Sequence, residues 1–301
     1  MSRTVIVGLD GSPESRAAAE WAAREARLRG LPLKVVHIWE PVPEPVTQAP
    51  LLGVETQQHW SERVSRETAE TLEPRHPGVT VTAVQLKGRP ADVLVDTAKD
   101  AELLVLGSRG LSGIGGFLVG SVGLAVVAHT GTPVVLVRAG EQATDEHTVD
   151  PVAVSSAVGP FRPVVLGFDT ESPDDKVLAF AFEGAARRDT ALRVVHGWNL
   201  PPYYVYGLSA DLNQHDELAR HKAAELTEAL IPWRQKYPGV EVVEESRSGN
   251  PANHLVDASP EASLVVVGRR IRRSPIGTHI GPITHAVLHH ATAPVAVVAH
   301  G

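Results

Sequence analysis

Val5-Ile6-Val7-Gly8-Leu9-Asp10 recurs as Val164-Val165-Leu166-Gly167-Phe168-Asp169, and the rest of the chain repeats with it. Val35-Val36-His37-Ile38-Trp39 returns as Val194-Val195-His196-Gly197-Trp198, Gly88-Arg89-Pro90 as Gly249-Asn250-Pro251, and Thr132-Pro133-Val134 as Ala293-Pro294-Val295. Self-similarity on this scale means one fold used twice. Within each copy the short apolar runs have the length of strands buried on both faces. In the first copy Asp10 to Glu14 offers an N-cap and a helix-start proline, Ala17, Ala18, Trp21, Ala22 and Ala26 follow at helical spacing, and Gly30 ends the helix. Strands alternating with helices give a parallel sheet covered on both sides. The sequence therefore predicts an α/β protein of two tandem open five-stranded parallel-sheet, Rossmann-like domains with helices on both faces. They span residues 1–140 and 162–301. The connecting 141–161 lacks an apolar period and is expected to be exposed and flexible.

Composition narrows the function. The 301 residues carry a net charge of −7, without the basic footprint of a non-specific nucleic-acid binder. The absence of cysteine excludes a disulfide framework and cysteine-ligated metal, and fits a reducing compartment. Met1-Ser2-Arg3 runs straight into the first strand, leaving no room for a signal peptide, and no apolar run reaches the roughly 18 residues that span a bilayer. A cytoplasmic location without membrane or nucleic-acid partners is the expectation.

The chemistry concentrates after the apolar run Leu103 to Leu106, in Gly107-Ser108-Arg109-Gly110, nine residues, then Gly120-Ser121. Glycines at the C-terminal end of a buried strand let backbone N–H groups approach an anion, and a helix opening at Ser121 points its positive end at the same place. Open α/β sheets bind ligands at that end. A flexible βα connection is the plainer alternative.

Gly107-x2-Gly110-x9-Gly120-Ser121 resembles the ATP-binding signature of the universal stress protein family, and Val5 to Ser12 resembles that family's opening strand. The resemblance covers nearly the whole chain, twice over. It implies that Gly8, Leu9 and Asp10 lie on the ribose and adenine side, that the backbone of Ile38 reads the adenine edge, and that Gly107, Ser108, Arg109, Gly110, Ser112 and Gly113 wrap the phosphates. Gly120, Ser121 and Val122 would complete the cradle. It further implies ATP, with or without Mg, as ligand, and pairing of the two halves through Val134 to Arg138 and Val295 to Ala299. A homodimer and a protein partner belong to the same expectation.

The second half departs from this pattern. Its loop reads Gly268-Arg269-Arg270-Ile271, then Gly281-Pro282. Ile271 stands where the chain needs φ > 0, costly for a β-branched residue, and Pro282 removes a hydroxyl and an N–H. Asp169 remains, so a degenerate phosphate loop is the expectation, although Arg269, Arg270, Arg272 and Arg273 offer direct charge in its place. The proline-rich 41–53 reads as a flap. Its counterpart, with Tyr203, Tyr204 and Tyr206, reads as a stacking surface or a loop packed on its own domain. His285 and His289 have metal-capable i, i+4 spacing without further ligands, and read as helix-face histidines. No nucleophile elbow, kinase motif or Walker lysine is present. A nucleotide-dependent stress or signalling module with slow or no hydrolysis is the first reading. A weak ATPase or nucleotidyl-transferring enzyme, and a scaffold with a vestigial site, stay open. A bulky residue at Gly107 or Gly110 is expected to abolish binding without unfolding the chain.

Overall fold

The computed structural model describes residues 3–40, 54–108, 119–148, 159–199, 212–271 and 280–301. The chain forms two compact units, Met1–Gln142 and Ala143–Gly301. Unit 1 runs β1 (Val5–Leu9), α1 (Pro13–Arg29), β2 (Leu33–Trp39), α2 (Val54–Arg75), β3 (Val81–Lys87), α3 (Pro90–Ala98), β4 (Leu103–Gly107), α4 (Ser121–His129) and β5 (Val134–Val137). Unit 2 repeats the order with β6 (Val164–Gly167), α5 (Asp175–Arg188), β7 (Leu192–Trp198), α6 (Leu212–Lys236), β8 (Val242–Ser248), α7 (Pro251–Ala258), β9 (Leu264–Arg270), α8 (Pro282–His290) and β10 (Val295–His300).

Within unit 1 the strands lie β3-β2-β1-β4-β5, all parallel. Within unit 2 they lie β8-β7-β6-β9-β10, again parallel. Sequence order reverses between β1 and β4, and between β6 and β9, so each unit opens a crevice beyond the C-terminal ends of those strands. The cores are the apolar runs that mark the repeat. Val5, Val7, Leu103, Leu104 and Val105 are fully buried in unit 1, as are Val164, Leu166, Leu264, Val265 and Val266 in unit 2. Trp21 seats α1 on the sheet and Phe182 seats α5 on its own. Each such side chain contributes about 1.5–3 kcal/mol of apolar burial.

The connection differs from expectation at both ends. Ala143–Glu146 is a short 3-10 turn, Glu146 and His147 are buried, and His147 bridges Phe161 antiparallel, their rings 4.2 Å apart. Arg162 then donates to Pro260 O (2.7 Å), so these ends are built into unit 2 rather than solvated. Apolar periodicity missed them because a single bridge and a ring contact leave no period. The flap, the tyrosine loop, and Arg109, Gly110, Ser112, Gly113, Arg272 and Arg273 lie outside the described residues.

Candidate functional site

β1 hands its C-terminal end to a turn that Asp10 organises. Ser12 N–H and Ser12 Oγ–H both donate to Asp10 Oδ1 (3.0 and 2.5 Å), and Ser12 Oγ in turn accepts from Ser15 N–H (3.1 Å). Ser12, not Asp10, is therefore the N-cap of α1, with Pro13 at the first helical position. Burial pushes the Asp10 carboxyl up, but the bonds from Ser12 and Ser15 outweigh it and hold the group below its ordinary value. An ionised, acceptor-only carboxylate at a strand end suits hydroxyl donors.

β4 ends against this turn. A Cβ on Gly107 would stand 2.6 Å from the Glu14 carbonyl carbon and 2.7 Å from Ser15 N, so only glycine lets α1 begin this close to the strand. Ser108 is buried, its N–H donating to Val137 O (2.7 Å), which fixes the direction in which the chain leaves the sheet. The expectation that a bulky Gly107 leaves the fold intact is corrected here: the obstacle is helix backbone, which cannot rotate aside.

Across the crevice α4 begins at Ser121. Its N-cap, Gly120, has no side chain to cap the helix, and the first intrahelical bond is Leu124 N–H to Gly120 O (3.0 Å). Gly120 thus supplies no side-chain cap to the first-turn N–H groups, where the helix dipole is positive. A cavity of about 160 Å³ lies between these parts, lined by Gly8, Leu9, Asp10, Ile38, Gly107, Gly120, Ser121 and Val122. The described part of the expected set is thereby brought together, except Ser108, which is turned into the core.

Sequence reasoning missed the cavity's apolar wall: Val36, Pro90, Leu94 and Leu106. Gly8 carries its signature, since a Cβ there would meet Leu106 Cδ2 at 2.6 Å and Leu94 Cδ2 at 3.3 Å. The slot is thus lined by an apolar wall, by the Asp10 carboxylate and by the first turn of α4.

Unit 2 rebuilds this arrangement differently. Asp169 Oδ1 accepts Glu171 N–H (3.0 Å), and Asp174 caps α5. β9, however, runs on to Arg270, pairing Ala299 with Arg269 and His300 with Arg270, and Ile271 N–H donates to His300 O (2.6 Å). Where unit 1 leaves its sheet at Gly107, unit 2 continues as strand. Ile271 carries no positive φ, since among the described non-glycine residues only Asp189 does. The strain expected at Ile271 is absent because no turn is made there. The imidazole of His300 fills the space behind Gly268, with Nε2 2.9 Å from where a Cβ would stand. Pro282 does occupy the first position of α8, without N–H or hydroxyl. On that helix the rings of His285 and His289 lie against each other, tilted by 37°, with centroids 4.4 Å apart. No group of three or more metal-capable side chains occurs among the described residues, and none of their helices is long and apolar enough to cross a membrane.

Two doubly wound α/β units in tandem, each with its crevice at the topological switch point, define the class. The sequence model of the Universal stress protein family matches residues 1–138 and 160–299. The chain belongs to that family. A universal stress protein of Mycolicibacterium smegmatis is 31% identical over 98% of this chain and 96% of its own length. Universal stress protein Rv2005c of Mycobacterium tuberculosis is 33% identical over 97% of this chain and 96% of its own. A universal stress protein from Archaeoglobus fulgidus, solved by crystallography, shares the fold over the full length of both chains, with a TM-score of 0.69 at 19% identity.

Proposed function

We propose that unit 1 binds ATP and serves as the nucleotide-responsive half of a stress or signalling module, with slow or no hydrolysis. The observation that carries this is that the glycine-capped start of α4 and Asp10 line the same slot. The apolar wall of Val36, Leu94 and Leu106 takes the flat base, Ile38 borders its edge, Asp10 accepts from the ribose hydroxyls, and the N–H groups of Ser121 and Val122 donate to phosphate oxygens. A Mg ion would arrive with the phosphates. Unit 2 is proposed to have lost the polyphosphate cradle, because β9 runs through its turn and Pro282 removes a donor.

Ser121→Glu tests the site without challenging the fold. Ser121 is exposed, and an acid in the first turn of a helix adds about 0.3–1 kcal/mol of stability. Calorimetric titration should show ATP affinity reduced at least about tenfold by repulsion at the phosphates, with the urea midpoint unchanged or raised. Undiminished ATP affinity in the variant would place the phosphates elsewhere.

A further inference from the structure

Unit 1 has a second cavity, on the other face of its sheet from the slot. α1 and α2 pack side by side on that face, whereas α3 and α4 pack together on the face that holds the slot. Between α1 and α2 lies a volume of about 710 Å³, in the range of small-molecule sites, lined among others by Leu9, Arg16, Ala19, Glu20, Leu72 and Arg75. Neighbouring helices ordinarily interdigitate at about 8–10 Å and leave few voids larger than a water molecule.

Unit 2 builds the same helix pair from larger side chains. Aligned on their left-handed C-caps, Gly30 and Asp189, α1 and α5 set Ala19 against Leu178 and Arg16 against Asp175. Aligned on Pro77-Gly78 and Pro238-Gly239, α2 and α6 set Leu72 against Trp233 and Arg63 against Ala224. Leu178 is buried, and Phe182 of α5 stacks on Trp233 (5.7 Å) and Tyr237 (5.4 Å), closing the interface. The copy with the smaller side chains is also the copy with the arginines.

The charges around the cavity match except at one point. Glu20 accepts from Arg75 (2.6 Å) and from His76 Nε2 (2.8 Å), and Arg63 Nε lies 4.0 Å from Glu67. Arg16 donates to Gly11 O (2.8 Å) and has no carboxylate partner among the described residues. A guanidinium fork takes a carboxylate through two parallel bonds. A carboxylate brings one charge, whereas a phosphate monoester brings up to about two, and Glu20 and Glu67, which also line the cavity, repel the excess. We propose that this cavity binds a monocarboxylate with an apolar body, its carboxylate paired with Arg16 and its body against Leu9, Ala19 and Leu72. The inference is independent of what either crevice binds.

Octanoate and benzoate, titrated separately by calorimetry into the full-length wild type, Arg16→Ala, Arg16→Lys and the paired variant Ala19→Leu with Leu72→Trp, test it. At least one of them should bind the wild type at about one equivalent per chain. Arg16→Ala should weaken it about tenfold or more, with Arg16→Lys between, because a lysine keeps the charge but loses the fork. Arg16 is exposed, so an unchanged urea midpoint separates lost binding from lost folding. The paired variant gives unit 1 the side chains of unit 2. It should abolish binding with the urea midpoint kept or raised, because the added atoms occupy empty volume; a lowered midpoint leaves Arg16→Ala to decide. Binding of octanoate alone assigns a flexible chain as the apolar body, and of benzoate alone a ring. Uptake of neither compound by the wild type, or affinity indifferent to Arg16→Ala or to a stably folded paired variant, overturns the proposal.

Discussion

Gly107 does two things with one missing atom. It ends β4, and it leaves the start of α1 in contact with strand backbone, so that the Asp10 turn and the end of β4 lie together. Gly107→Ala must displace Glu14 and Ser15 backbone, and overpacking of that kind costs about 1–3 kcal/mol. Urea unfolding should register that loss, while Gly131→Ala, with nothing within 4 Å of its Cβ, should stay within about 0.5 kcal/mol. Equal midpoints for the two variants would mean that α1 can retreat freely. Gly8 differs in kind: its obstacles are the ends of the Leu106 and Leu94 side chains. Gly8→Ala should therefore narrow the slot and weaken nucleotide binding more than it weakens the fold. The paired glycines were legible in the sequence because glycine stands out against an apolar strand. Leu94 and Leu106 were not, because a leucine facing a cavity reads the same as one facing the core.

β2 shows how one element serves two environments. Val36 and Ile38 face the slot, and His37, one residue out of phase, is buried away from it with Nδ1 unpartnered. In unit 2 the equivalent His196 has its Nδ1 3.1 Å from Phe168 O. Burial lowers the His37 pKa from its ordinary 6.5, with Asp10 pulling the other way. The unfolded chain therefore takes up the proton first on acidification. Stability from neutral His37 is complete above pH 6.5 and is lost as pH falls below it, through the folded-state pKa. The slope of urea stability against pH in that window should flatten in His37→Leu, and an unchanged slope would assign it to other groups, such as His285 and His300, whose values burial also lowers. The strands and helices themselves were legible from apolar runs, proline starts and glycine ends. The continuation of β9 was not: Arg269-Arg270-Ile271 reads as a broken glycine turn, and only the register with β10 reveals a strand.

At the scale of the molecule, duplication has left two crevices of the same topology with different chemistry at their rims. The repeat made the tandem architecture legible, because four short matches at near-constant spacing have no local explanation. The difference between the crevices was legible only in part: Pro282 is visible in the sequence, whereas the run of β9 through Arg270 emerges only from its register with β10. The central claim is that unit 1 holds a nucleoside triphosphate and unit 2 does not. The most direct measurement is to purify the full chain without added nucleotide, saturate it with ATP, remove the excess, denature it, and count the triphosphate released per chain. About one per chain is the predicted result, falling to near zero in Ser121→Glu; two per chain, or one that survives Ser121→Glu, would contradict it.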